Sequence, residues 1–194
     1  MRPDALLAAY ARGWFPMDEE GATGAVGLYS TDPRAVIPID AVRVPRSVRR
    51  ALRRHQHDEV RVDAAFGEVA RACAQGRTGV WLTPRLVDAY VALHEEGFAH
   101  SVEVWRNGRL AGGLFGVALG GLYTSESMFH REGDAGSAAL VATAALLARG
   151  GFTLWDVQMA SPHVTRFGAV EVPHRRYLTL LADALRRPAR FPVP

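Results

Sequence analysis

Between residues 98 and 158 the hydrophobic positions follow the two-residue period of β-strands, interrupted by one long apolar helix. The pattern predicts strands at 98–105, 110–118, 122–126 and 152–158, and a helix that begins at 134 or 137 and ends at 149. Asn107-Gly108 is typical of a tight hairpin turn. The run at 111–123 is apolar and rich in glycine, which predicts buried strands that a ligand or another element approaches closely.

The rest of the chain alternates between short helical and short extended patterns. Helices are predicted at 4–12, 45–55, 63–75, 83–97 and 174–187, with Asp63 as the N-cap of the third, and strands at 28–37, 60–62 and 169–172. This order predicts an α+β (mixed α/β) domain with one core. Residues 1–35 are too few to hold a core alone, so we expect a small N-terminal segment packed on a main domain at 36–194.

Composition narrows the class of protein. The 194 residues are 48% hydrophobic, which is enough for a packed core, yet no apolar run reaches the roughly 18 residues of a membrane span. The chain starts without a secretory pattern, and its single cysteine, Cys73, cannot form an internal disulfide. No Cys/His group has metal-binding spacing. We therefore expect a cytoplasmic protein without a metal. The small core and the lack of an exposed apolar helix in the pattern favour a monomer.

The net charge is only +3, but one predicted helix concentrates positive charge. Val48 and Leu52 mark its inner side, and five arginines occupy its other faces: Arg46, Arg49, Arg50, Arg53 and Arg54. All 23 basic residues of the chain are arginine, so the choice of arginine over lysine carries no information here. A solvated surface helix is one interpretation. The absence of acidic partners one turn away favours phosphate binding instead.

Three polar side chains end the predicted buried strands. Glu126 closes one strand, and Asp156 and Gln158 lie two residues apart on another, so they share a face of the sheet. Two carboxylates and an amide in an apolar frame are typical of a catalytic site. Buried acids at strand ends also serve as structural caps or partners of arginine, and the pattern alone leaves both interpretations open.

Several distinctive phrases follow one another along the chain. They include Tyr10-Ala11-Arg12-Gly13-Trp14-Phe15-Pro16-Met17, Ser30-Thr31-Asp32-Pro33-Arg34, Glu126-Ser127-Met128-Phe129 and Asp156-Val157-Gln158, together with Trp81, His163 and the phrases at 89–105, 112–117 and 167–169. In this order they resemble the leucyl/phenylalanyl-tRNA–protein transferase family, and the resemblance covers nearly the whole chain.

This resemblance implies an acetyltransferase-like (GNAT-type) acyltransferase core with a small, here truncated, N-terminal domain. It implies transfer of leucine or phenylalanine from aminoacyl-tRNA to proteins that begin with Arg or Lys, which marks them for degradation. Aminoacyl-tRNA would be a co-substrate, and no further cofactor is expected.

The resemblance also assigns roles to residues. Glu126, Asp156 and Gln158 match the catalytic centre, and Met17 and Trp81 match positions beside the terminal adenosine of the tRNA. The family's tRNA-binding patch matches Arg46, Arg50, Arg53 and Arg54 of the arginine helix. The pocket for the transferred amino acid maps onto Leu114, Tyr123, Met128, Leu140, Thr143, Leu147 and Trp155.

Some positions depart from the family pattern. Asp134-Ala135-Gly136-Ser137 stands where Asn-Ala-Ser-Lys is usual, so a positive charge is missing. Leu28-Tyr29 replaces a Trp-rich strand, Thr143 replaces a large aromatic residue, and Trp155 adds bulk to the predicted pocket. These changes concern which amino acid is transferred more than the class of reaction.

Two alternatives remain at the level of sequence. An acyl-CoA N-acetyltransferase needs a glycine-rich loop that cradles pyrophosphate, and here Asp134 would repel phosphates in that loop. A tRNA-binding homologue without transfer activity would keep the arginine helix and lose the chemistry.

Overall fold

The computed structural model describes residues 1–18, 24–75 and 81–192. Its strands are β1 (Phe15–Met17), β2 (Gly27–Tyr29), β3 (Arg34–Ile37), β4 (Glu59–Val62), β5 (Ala99–Arg106), β6 (Arg109–Leu119), β7 (Leu122–His130), β8 (Leu154–Gln158) and β9 (Val170–Val172). The helices are α1 (Pro3–Tyr10), α2 (Arg46–Arg54), α3 (Phe66–Ala74), α4 (Pro84–Glu95), α5 (Ala135–Gly150), α6 (Pro162–Arg166) and α7 (His174–Leu185). The predicted α+β fold class is confirmed.

Seven strands form the main sheet in the order β4-β5-β6-β7-β8-β3-β9, and β1 and β2 form a separate ribbon. The sheet is antiparallel except between β7 and β8, which run parallel because α5 crosses over between them. The predicted hairpin joins β5 and β6, with positive φ angles of 52° at Asn107 and 73° at Gly108.

The sheet carries a core on each face because its strand side chains alternate. Leu114 packs with α5, and its neighbour Phe115 packs with α3 and α4 on the other side. The bare backbone of β6 lets α5 begin close to the sheet, since a Cβ on Gly112 would lie 2.8 Å from the Cβ of Ala135. Another element of the chain, α5, is therefore what approaches this glycine.

The N-terminal segment shares a core with the main domain. Leu6 and Tyr10 of α1 and Phe15 of β1 pack in the same cluster as α3 and α4. The predicted division after residue 35 falls inside β3, a strand of the large sheet. That division stays a prediction.

The predicted role of Asp63 as a helix cap is wrong. Helix α3 begins at Phe66, and no side chain caps it. Asp63 has a φ of 57°, and its carboxylate accepts hydrogen bonds from the Ser101 amide at 2.8 Å and the His100 ring at 2.7 Å. These bonds to β5 compete with local capping. Gly76, the glycine expected to end the helix predicted at 63–75, lies outside the described residues.

Within the described ranges, none of the helices is long and apolar enough to cross a membrane.

Candidate active site

The site begins at an irregularity in the central strands. In the β6–β7 ladder Ser125 pairs with Gly116 and Ser127 pairs with Phe115, so Glu126 is an extra residue without a partner. This is a β-bulge, a device that bends a strand and re-aims a side chain. It turns Glu126 toward the face that α1 and α4 cover.

Two tyrosines hold the Glu126 carboxylate. The Tyr90 hydroxyl donates to its Oε2 at 2.8 Å, and the Tyr10 hydroxyl lies 2.7 Å from that of Tyr90. Burial raises the pKa of Glu126 to about 7, the hydrogen bonds from the tyrosines oppose that rise, and the charge of Asp156 adds to it. Glu126 therefore exchanges a proton near neutral pH.

Gln158 lies beside Glu126 at the end of β8. Its amide nitrogen is 2.8 Å from the Thr124 hydroxyl and 3.3 Å from Glu126 Oε1. Its backbone has a φ of 57°, and the Thr31 hydroxyl donates to its carbonyl at 3.1 Å. The Gln158 amide is thus fixed against the Glu126 carboxylate.

Asp156 lies behind these two side chains and is 1% exposed. The fully buried Arg34 donates to both of its oxygens, at 2.9 and 2.6 Å, the Tyr177 hydroxyl donates at 2.8 Å, and the Gln158 backbone amide donates at 2.9 Å. The Arg34 guanidinium also lies between the rings of Phe15 and Tyr177. Asp156 therefore supports the site from behind. It lines neither of the two cavities that open beside Glu126 and Gln158.

A first cavity of about 190 Å³ opens on one side of Glu126 and Gln158. Met17 and Trp81 both line it, together with Phe15, Pro16 and Met159. The Asp18 amide donates to the Trp81 carbonyl at 3.0 Å, which ties the end of β1 to the start of α4. Met17 and Trp81, predicted to flank an adenosine, thus face one space.

A second cavity of about 240 Å³ opens on the other side of the same two residues. Four of the seven residues predicted for the amino-acid pocket line it, namely Leu114, Met128, Leu140 and Trp155. The indole of Trp155 forms a wall, held by its hydrogen bond to the Ser125 hydroxyl at 2.8 Å. Glu126, Gln158 and Met159 line both cavities, so the two spaces meet at the polar centre.

The other three predicted pocket residues lie behind this wall. Tyr123, Thr143 and Leu147 are fully buried and are not among the residues that line the cavity. The Thr143 hydroxyl donates to the Ala139 carbonyl of its own helix at 2.8 Å, so it offers no polar group to a ligand. These residues shape the cavity only through the packing of its lining.

The five arginines of α2 are exposed on the opposite side of the helix from buried Val48 and Ala51. Within the part of the chain that the structure describes, none of the five forms an ion pair with a carboxylate. The same ranges contain no group of three or more His, Cys, Asp or Glu side chains that could hold a metal ion.

Comparison with protein families matches both parts of the chain. Residues 36–182 match the model described as leucyl/phenylalanyl-tRNA protein transferase, and residues 1–32 match the model of the N-terminal domain of the same enzyme. The chain belongs to this family.

Curated relatives agree with that membership. Leucyl/phenylalanyl-tRNA–protein transferases from Salinibacter ruber, Myxococcus xanthus and Rubrobacter xylanophilus are each 46% identical to the chain. The matches cover 95%, 98% and 98% of this chain, and 80%, 82% and 98% of the relatives. Family membership inferred from the sequence phrases is confirmed.

The fold of this chain is similar to that of one solved structure. The L-PGS structure from Bacillus licheniformis has a TM-score of 0.51 at 10% identity, over 82% of this chain and 66% of that chain. A GCN5-related N-acetyltransferase from Kribbella flavida has a TM-score of 0.48 at 17% identity, over 73% of this chain and 55% of that chain.

Sequence reasoning missed three residues that build the site: Arg34, Tyr90 and Tyr10. Tyr90 lies in the helix predicted at 83–97 and Tyr10 in the helix predicted at 4–12, and in the sequence neither stands out from the apolar residues around it. Arg34 is the only charged residue of strand β3, whose other residues are apolar. A charge in a buried strand needs an acidic partner, and this was the signal in the sequence that could have identified Arg34.

Proposed function

We propose that this protein transfers an apolar amino acid, leucine or phenylalanine, from aminoacyl-tRNA to the N-terminus of an acceptor protein. The observation that carries the proposal is the pair of cavities that meet at Glu126 and Gln158. An aminoacyl adenosine has an aromatic base at one end, an apolar side chain at the other and an ester between them. In this arrangement the base stacks on Trp81, and the ester lies against the polar centre.

The reaction needs positioning more than strong activation. The acceptor α-amine attacks the ester carbonyl carbon, a C–N bond forms, the bond from that carbon to the ribose oxygen breaks, and the ribose oxygen takes up a proton. An α-amine has a pKa near 7.7–8.0, so a useful fraction is neutral at physiological pH. Holding amine and ester together contributes several kcal/mol.

Glu126 has the proton affinity that this step requires. As a carboxylate it orients the incoming ammonium group and accepts its proton, and with a pKa of about 7 it can release that proton again. The Gln158 amide is too weak a base for this role. Once Glu126 has taken up the proton, the NH₂ hydrogen that faces it at 3.3 Å can donate instead to the oxyanion that forms on the ester carbonyl. Asp156 holds the Gln158 backbone in place.

We further propose that acceptors begin with Arg or Lys and that the product is marked for degradation, as the family resemblance implies. The negative charge of the Glu126 carboxylate favours the binding of an acceptor whose N-terminus is positively charged. We place the reaction in the cytoplasm, where charged tRNA is made.

An acyl-CoA substrate fits the loop before α5 less well. The backbone amides of Arg131 and Glu132 both donate to the Ala111 carbonyl, at 2.8 and 3.1 Å, and the Ala135 amide donates to the Glu132 carbonyl at 3.3 Å. A pyrophosphate would need such amides free. The thermal shift with acetyl-CoA is expected to be zero.

The test is a transfer assay with a mass readout. The protein is incubated with leucyl- or phenylalanyl-tRNA and a peptide that begins with Arg, and the peptide is weighed. We expect a mass gain of one leucine or phenylalanine residue, and none for the same peptide acetylated at its N-terminus. An unchanged peptide, with tRNA binding retained, would show that this chain is a tRNA-binding homologue without transfer activity.

A further inference from the structure

Helix α6 lies between the amino-acid cavity and the arginine helix. Ser161, its N-cap residue, and Val164 line the cavity. Arg166 lies two residues beyond Val164, on the other side of the helix, and its guanidinium is 3.3 Å from the hydroxyl of Ser47 in α2. The short helix therefore joins the two proposed binding regions directly.

A second arginine meets α6 from the loop before α2. The Arg43 amide donates to the Phe167 carbonyl at 2.9 Å, and its side chain passes Gly168, where an added Cβ would lie 3.4 Å from the Arg43 Cγ. Arg43 and Arg166 are both exposed, and in the described part of the chain no carboxylate forms an ion pair with either. Together with Arg46, in the first turn of α2, they form what we call the α6 basic surface.

The electrostatics of α6 agree with an excess of positive charge. His163, on the same helix, has a pKa lowered by burial and by the nearby positive charges of Arg166 and His130. Burial is the largest cause of this lowered pKa, and repulsion from Arg166 and His130 adds to it. An anion on the α6 basic surface would reduce that repulsion.

We propose that the α6 basic surface binds backbone phosphates of the single-stranded 3′ end of the aminoacyl-tRNA. This inference rests on the proposed function. Seen from α2, the adenosine cavity lies beyond α6 and the amino-acid cavity, so a strand that runs from a stem on α2 to the terminal adenosine beside Trp81 passes α6. Phosphates there pair with guanidinium groups without any reading of bases.

The experiment compares two RNA hairpins by fluorescence anisotropy at several salt concentrations. One carries an acceptor-type stem with a four-nucleotide 3′ overhang, and the other ends blunt. Arg166→Gln and Arg43→Gln are each expected to weaken binding of the overhang hairpin by about three- to tenfold, and to lower the salt slope by about 0.7. Binding of the blunt hairpin is expected to be unchanged.

Three further variants calibrate the result. Arg50→Gln, on α2, is expected to weaken both hairpins, and Arg109→Gln, an exposed arginine of the β5–β6 turn, neither. Arg166→Lys keeps the charge and is expected to retain most of the affinity. If Arg166→Gln behaves like Arg109→Gln, or weakens both hairpins equally, the α6 proposal is overturned while the proposed function stands. Failure of the unmutated protein to bind either hairpin would overturn both.

Discussion

At the scale of single residues, the site depends on the Glu126 carboxylate, whose pKa lies near neutral pH. Burial disfavours the charged form of Glu126, and hydrogen bonds from the tyrosines favour it, with the balance near pH 7. A fully solvated glutamate would be ionised at every physiological pH and would accept a proton poorly. The local environment therefore matters as much as the residue type.

The raised pKa of Glu126 makes the fold less stable at high pH. A folded-state pKa of about 7 against an ordinary 4.5 means that the folded protein binds the proton more tightly, so stability falls as pH rises from 4.5 to 7. Glutamine does not titrate, so the free energy of unfolding of Glu126→Gln, relative to that of the unmutated protein, should rise by up to about 3 kcal/mol between those pH limits. Urea unfolding at pH 5 and pH 8 measures this gain. Exposed Glu171→Gln is the control, and a gain that is independent of pH would contradict the expectation.

A substitution at Gln158 should affect the rate of transfer and leave tRNA binding nearly unchanged. Gln158→Ala removes the amide that lies 3.3 Å from Glu126 and leaves Trp81 and α2 unchanged. We expect kcat to fall by about 100-fold, as for loss of one oxyanion donor, with tRNA affinity nearly constant. Single-turnover transfer assays and anisotropy measure the two quantities. A loss confined to affinity would argue against this role.

At the scale of secondary-structure elements, helices from distant parts of the chain converge on the β7 bulge. Helix α1 brings Tyr10 and α4 brings Tyr90, and the bulge turns Glu126 toward them. An apolar helix face that carries one hydroxyl can place it accurately because the surrounding packing leaves the ring a single orientation.

Tyr90→Phe tests this support. The Tyr90 hydroxyl stabilises the Glu126 carboxylate, so its removal should raise the pKa of Glu126 above about 7. The acidic limb of the pH dependence of kcat/KM should then move to higher pH, while circular dichroism stays unchanged. Tyr29→Phe, an exposed tyrosine of β2, is the control. An equal loss of kcat/KM at every pH, with the acidic limb at its original pH, would mean that the Tyr90 hydroxyl does not influence the pKa of Glu126.

At the scale of the whole molecule, one buried ion pair joins three regions. Arg34 in β3 bonds Asp156 in β8 and the Gly13 carbonyl after α1, while Tyr177 of α7 bonds the same carboxylate. Both charges are out of contact with water, so each depends on the other. The N-terminal segment, the sheet and the last helix are thereby held at the rear of the site.

Replacing only Asp156 should lower the free energy of unfolding more than replacing Asp156 and Arg34 together. Asp156→Asn leaves the Arg34 charge buried and should lower the free energy of unfolding by about 3–5 kcal/mol. Adding Arg34→Met to that variant should restore part of the loss, so the two effects should deviate from additivity by at least about 1 kcal/mol. Urea unfolding of the four proteins gives the coupling. The exposed pair Arg61 and Glu59 is the control, with coupling below about 1 kcal/mol.

Local patterns were enough to predict most of the fold. Alternation of apolar residues located the strands of the large sheet, and Asn107-Gly108 located its hairpin, because both depend on neighbours along the chain. Capping was predicted less well. Asp63 has the residue type of an N-cap, but its bonds to β5 come from a strand about 40 residues away and outweigh the local preference.

By itself, the sequence determined most of the strands and helices, though not β1 or α6, as well as the basic face of α2, the family, and Glu126 and Gln158 as candidate site residues. Only the tertiary structure decided which groups surround them: Tyr10 and Tyr90 against Glu126, Arg34 behind Asp156, and α6 between the cavity and α2. These contacts join residues 36 to 122 positions apart, and no local period encodes them. Burial, and with it the pKa of Glu126, exists only once those distant elements pack together.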